Sequence, residues 1–93
     1  MKIQFYAYLR DKDYAGCKEM SWPHVPTLRE LGEQLCEKLG PKFRGEFFTV
    51  DGQSLGERVI VMVNGRRVEF LGGLDTPLKD SDTVLIFPVV AGG

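Results

Sequence analysis

Thr83-Val84-Leu85-Ile86-Phe87-Pro88-Val89-Val90-Ala91-Gly92-Gly93 is an apolar strand that runs straight into a pair of glycines. Its first half alternates as a sheet strand does, with Val84 and Ile86 on one face and Leu85 and Phe87 on the other. Its second half is a stem that sheds its side chains. Glycine has no Cβ and almost no steric barrier in φ/ψ space, so Gly92-Gly93 forms a thin, flexible lead to a terminal carboxylate. Such a lead passes through a channel too narrow for any other residue. The Gly93 carboxylate is then the group open to activation by another protein. Chance gives a Gly-Gly end to roughly 0.5% of chains, so the tail needs support from the rest of the sequence.

The other end of the chain supplies a matching strand. Residues 2–10 alternate cleanly, with Ile3, Phe5, Ala7 and Leu9 on one face and Gln4, Tyr6, Tyr8 and Arg10 on the other. A polar loop over residues 11–16 leads to a weaker strand from Cys17 to about Trp22, in which Met20 and Trp22 are in phase. A helix follows over Thr27–Leu39. Thr27 and Glu30 have the spacing of a capping box, and Leu28, Leu31, Leu35 and Leu39 make one apolar stripe. Gly40 is placed to end the helix and Pro41 to prevent its continuation. Gly32 inside it costs about 1 kcal/mol against alanine; it leaves room for close packing, which the sequence by itself does not establish.

Residues 41–57 carry no clear period; Phe43, Phe47 and Phe48 are expected to tie an irregular excursion to the core. Asp51-Gly52 is a turn. Arg58 to Val63 is a β-branched strand, Asn64-Gly65 is a hairpin turn, and Arg66 to Phe70 returns as a short strand. Gly72-Gly73 and Thr76-Pro77 mark another loop before the last strand, residues 83–88.

The order β-β-α-β-β-β predicts an α+β fold, one mixed sheet with one main helix across one face. The first and last strands have the best patterning. They are expected to lie side by side and parallel at the centre, joined by a long crossover. The domain spans residues 1–88, and residues 89–93 form a flexible C-terminal tail.

Composition narrows the function. The chain has 93 residues with 12 basic and 13 acidic side chains, net −1, which fits one domain without a basic nucleic-acid footprint. No apolar run reaches the roughly 20 residues that span a bilayer. The start reads as a strand and not as a signal peptide, and Cys17 and Cys36 form no disulfide framework. A cytoplasmic location is expected. Cys36 lies at the edge of the leucine stripe and reads as a small apolar residue. His24 has no partner for catalysis or metal binding nearby in sequence. Asp80-Ser81-Asp82 is a turn without EF-hand spacing.

Strand alternation predicts one further feature. With Ile3, Phe5 and Leu9 facing the helix, Tyr6 and Tyr8 face away. Val61 and Val63 then point in and Met62 out, while Leu85 and Phe87 point out beside the tail root. An apolar patch of that kind marks an interaction surface.

The last sixteen residues, from Leu78 to Gly93, resemble the end of the MoaD/ThiS sulfur-carrier family, and within it the small subunit of molybdopterin synthase. The strand from Lys2 to Arg10, the helix start at Thr27 and the Val61-Met62-Val63-Asn64-Gly65 turn fit the same family. Two features depart from its pattern: Pro88 is followed by Val89, and the segment from Gly40 to Glu57 is long. The resemblance implies a ubiquitin-like β-grasp fold. It also implies a chemistry in which an E1-like activating enzyme, using its own ATP and magnesium, adenylates the Gly93 carboxylate. Sulfur then displaces AMP and leaves a thiocarboxylate. The tail, Gly92 and Gly93 on the stem Phe87, Pro88, Val89, Val90 and Ala91, would insert into a large catalytic subunit and donate sulfur to a pterin precursor. Met62, Tyr6, Tyr8 and Leu85 would join Phe87 in binding partners. This chain would be a non-catalytic subunit that binds no cofactor or metal, and it holds no Gly-x-x-x-x-Gly-Lys-[Ser/Thr] phosphate loop. Three other readings share features with it: a carrier for thiamine or cysteine synthesis, a protein modifier joined through Gly93, and an interaction module with an incidental tail.

Overall fold

The computed structural model describes residues 1–6 and 17–88, with the side chains of Tyr6, Cys17, Lys18 and Pro88 left aside. The expected continuation of the first strand over residues 7–10, the loop 11–16 and the tail 89–93 lie outside the described residues.

Five strands form one mixed sheet in the order β2-β1-β5-β3-β4. They are β1 (Lys2–Tyr6), β2 (Cys17–Ser21), β3 (Val59–Val63), β4 (Arg66–Arg67) and β5 (Thr83–Pro88). The first and last strands are adjacent and parallel, with Lys2 beside Thr83 and Phe5 beside Ile86. β5 is central because it also pairs antiparallel with β3, from Val63 against Val84 to Val59 against Pro88. This is the architecture expected from strand order and patterning.

Helix α1 (Leu28–Leu39) crosses one face. Its Thr27 cap accepts a hydrogen bond from the Glu30 N–H, 3.4 Å, which satisfies one of the free donors of the first turn. Leu28, Leu31 and Leu35 are fully buried against Ile3, Val61 and Val84, which come from the three middle strands. Leu39, at the end of the stripe, is half-buried.

Two expectations are corrected. Pro41 does not end helical structure: it opens a second helix, α2 (Pro41–Phe47), across a bend at Gly40 with φ 95°. Proline has no N–H to lose at the first position of a helix, so it stops α1 and starts α2. The segment read as irregular therefore carries a two-turn helix whose Phe43 and Phe47 are buried. Phe43 meets Phe5 edge-on at 5.9 Å and stacks with Phe47 at 5.3 Å, and Phe47 meets Phe48 edge-on at 4.9 Å. The strand expected over residues 66–70 is also shorter. Only Arg66–Arg67 pairs, after which Val68–Phe70 turns as a 3-10 helix. That turn separates Val68, which is buried, from Phe70, which is 84% exposed; a strand would have put them on one face.

Loop geometry follows the turn residues. Gly72 and Gly73 take φ 123° and 59°, a backbone that residues with a Cβ rarely adopt, and lead into a short 3-10 turn. They serve the chain reversal.

Candidate functional site

The sheet has two unlike faces because side chains alternate along each strand. The face under α1 and α2 carries Ile3, Phe5, Val61, Val63, Val84 and Ile86, all buried. The other face is read from the pairing register. Gln4 lies beside Leu85, Leu85 beside Met62, and Met62 beside Arg67. One step towards the tail, Phe87 lies beside Ile60. Leu85, Met62, Phe87 and Ile60 are each half-buried, so a continuous apolar strip spans β5 and β3.

The structure thus brings Phe87, Leu85 and Met62 together on one face, as alternation predicts. Tyr6 is the last described residue of β1 and pairs through its backbone with Cys17. Pro88 closes β5 opposite Val59. Tyr8, Val89, Val90, Ala91, Gly92 and Gly93 lie outside the described residues. Ile60 is a member of the strip that the sequence reading missed. Its signal was available, since it stands two residues before Met62 and so on the same face.

The segment around Phe47-Phe48 does not fold over this strip. Phe43 rests on Phe5, and Phe47 and Phe48 rest on α1 around Gly32, all on the opposite side of the sheet. The strip is bordered by paired charges. Gln4 donates to Glu19 at 2.9 Å and Lys2 approaches it at 3.5 Å. The Gln4 hydrogen bond, followed by the Lys2 charge, holds the Glu19 carboxyl below its usual range. On the other border Arg67 grips Glu69 through two nitrogens, at 2.7 and 2.6 Å.

Other residues singled out in the sequence have structural roles. His24 donates from Nε2 to the Leu78 carbonyl at 2.8 Å, tying the entry to α1 to the segment before β5. Cys36 is buried and reduced, and burial pushes its thiol above the ordinary range. Asp82 accepts hydrogen bonds from the Lys79 N–H and the Asn64 amide, both at 2.8 Å. Among the described residues no three His, Cys, Asp or Glu side chains gather as a metal site. Among them too, no helix is long and apolar enough to cross a membrane. The arrangement presents an apolar surface beside the strand that leads into the Gly-Gly tail.

Comparison with known proteins shows the family and the fold. The chain is 54% identical over 94 residues to Small archaeal modifier protein 3 of Haloferax volcanii, covering all of this chain and 98% of that one. It matches a chain of the Amycolatopsis orientalis BexX/CysO complex with a TM-score of 0.70 over 98% of this chain and 99% of that chain; at 24% identity this speaks for the fold. It matches a Pyrococcus furiosus protein named for subunit 1 of a molybdopterin converting factor with a TM-score of 0.59 and 30% identity, over 96% and 98% of the two chains. The ThiS family profile matches residues 3–93, and the chain therefore belongs to the ThiS family, within the β-grasp sulfur carriers and ubiquitin-like modifiers.

Proposed function

We propose that this chain carries sulfur on its C-terminal Gly93 and delivers it in molybdopterin synthesis, as the small subunit of molybdopterin synthase. The observation that carries the reading is the reach of the family match, which runs through Gly92 and Gly93 themselves. An E1-like partner, supplying ATP and magnesium, joins the Gly93 carboxylate to AMP with loss of pyrophosphate. A sulfur nucleophile from a desulfurase system then attacks the acyl carbon and AMP leaves. Adenylation matters because a free carboxylate is resonance-stabilised and has no good leaving group. The reaction is placed in the cytoplasm, where ATP and reduced thiols coexist. The domain, residues 1–88, presents Phe87, Leu85 and Met62 to the activating enzyme and to the large catalytic subunit, and Tyr6, Tyr8 and Pro88 join them in binding those partners. The stem Val89-Val90-Ala91 carries Gly92 and Gly93 into the partner's site. The 30% identity to the Pyrococcus furiosus protein supports the molybdopterin branch.

A second reading starts from the same adenylate. The 54% identity to a small archaeal modifier protein favours transfer of the Gly93 acyl group to a lysine of another protein. Incubation with the activating enzyme, Mg-ATP and a sulfur donor separates the two. A carrier gains about 16 Da as sulfur replaces oxygen in the activated acyl product. A modifier yields target lysines that bear Gly93 in an isopeptide bond. No change in mass and no conjugate would overturn both.

A further inference from the structure

Asn64-Gly65 closes the hairpin between β3 and β4 with both residues in the left-handed region, at φ 52° and 83°. Asparagine followed by glycine is also chemically labile. The glycine amide nitrogen has no neighbouring Cβ to hinder its attack on the asparagine side chain. The turn is exposed to water, yet the Asn64 amide is held at both ends. Its Nδ2 donates to Asp82 Oδ1 at 2.8 Å, and its Oδ1 accepts from the Thr83 N–H at 3.0 Å. Asp82 is itself only 7% exposed, and its second oxygen accepts from the Lys79 N–H at 2.8 Å. An ionised carboxylate only accepts hydrogen bonds, so Asp82 matches an amide in Asn64 and mismatches a carboxylate there.

We infer that Asn64 is a latent modification site, where loss of ammonia is restrained by Asp82 and Thr83 and where its occurrence would unlatch the head of β5. In the reaction the Gly65 nitrogen gives up its proton to a solvent base and bonds to Asn64 Cγ. The departing Nδ2 takes a proton from solvent water, the Cγ–Nδ2 bond breaks and ammonia leaves. Water then opens the cyclic imide at either carbonyl, giving aspartate or isoaspartate. Before the attack, the side chain must rotate out of its bonds to Asp82 and Thr83. Afterwards a negative oxygen stands where the donor stood, facing a second carboxylate. The latch holds Thr83, the first residue of β5, which pairs with Lys2 of β1. The damage therefore acts on the central strand pair.

The test follows the mass and peptide map of residue 64 during incubation at mildly alkaline pH. The folded protein is expected to react at about a tenth of the rate of the same protein unfolded in urea, or slower, because reaction requires local opening. Folded Asp82→Ala should approach the unfolded rate. Asn64→Asp should lower the urea midpoint. The swapped pair, Asn64→Asp with Asp82→Asn, should recover part of that loss, because it exchanges donor and acceptor between the two positions and restores one amide–carboxylate bond. The swap decides the matter even if Asp82→Ala does not fold. Equal rates in the folded and unfolded protein, or a swapped pair no more stable than Asn64→Asp alone, would overturn the inference.

Discussion

Gly32 of α1 lies directly against the ring of Phe47 of α2, with both residues buried. A Cβ at position 32 would collide with Phe47 and stand 2.9 Å from Phe48 Cζ. This contact is what lets a second helix close over the first.

Gly32→Ala is therefore a contest of two effects. Alanine in a helix interior gains about 1 kcal/mol over glycine. Overpacking a filled core loses about 1–3 kcal/mol. Phe47 is fully buried and stacked on Phe43, so its ring has nowhere to move. A net loss of up to about 2 kcal/mol is expected, read as a lower urea midpoint. A raised midpoint would show that the aromatic pair yields.

The same residues explain what the sequence conceals. Gly32 reads as a flaw in a helix until its neighbour is known, and that neighbour, Phe47, sits on a helix that the pair Gly40-Pro41 disguises as a stop. Local signals cannot say whether a proline after a helix end begins a loop or a new helix, because it fits both. The sheet was legible for the opposite reason. Ile3, Phe5, Val84 and Ile86 must share a buried face, and a slip of one residue would expose them all. That alternation also placed Met62, Leu85 and Phe87 on the outer strip. The short β4 was misread because Val68 and Phe70 mimic a strand, although only Val68 has a core to enter.

The outer strip should behave as an interface. Phe87 stands half-buried beside Ile60, one residue before the end of β5. Phe87→Asp is expected to keep the fold, read by circular dichroism, and to weaken binding to the activating enzyme by about 2 kcal/mol or more, as an aromatic anchor does. Unchanged affinity in a titration would place the interface elsewhere. Loss of fold would assign Phe87 to the core.

Asp51 offers a test by pH. Its carboxylate accepts from the Thr49 hydroxyl at 2.7 Å and from the Gln53 N–H at 3.0 Å. The Thr49 bond, then the Gln53 bond, holds its carboxyl below the usual range. A depressed carboxyl stabilises the fold above its unfolded value, about 3.9, and that share is lost as pH falls through the lower folded value. Asp51→Asn should therefore be less stable than the wild type at neutral pH, with the difference closing only in strong acid. A difference that stays constant down to low pH would mean that packing, and not charge, links Thr49 to Gln53.

The chemistry itself is expected to depend on Gly93 and on no side chain of this protein. Deleting Gly93, or adding one residue after it, should abolish the gain of about 16 Da while the fold persists, because the reacting acyl carbon is removed or capped. The cysteines are the rival carriers of sulfur. Cys36 is buried on α1, and that burial pushes its thiol up, so the nucleophilic thiolate is scarce at neutral pH. Alkylation of Cys36 should accordingly be slow in the folded protein and fast in urea. Cys36→Ala and Cys17→Ala should both retain the mass gain. Should either cysteine variant lose it, or the Gly93 deletion keep it, a mechanism that rests on the Gly93 carboxylate alone would be overturned.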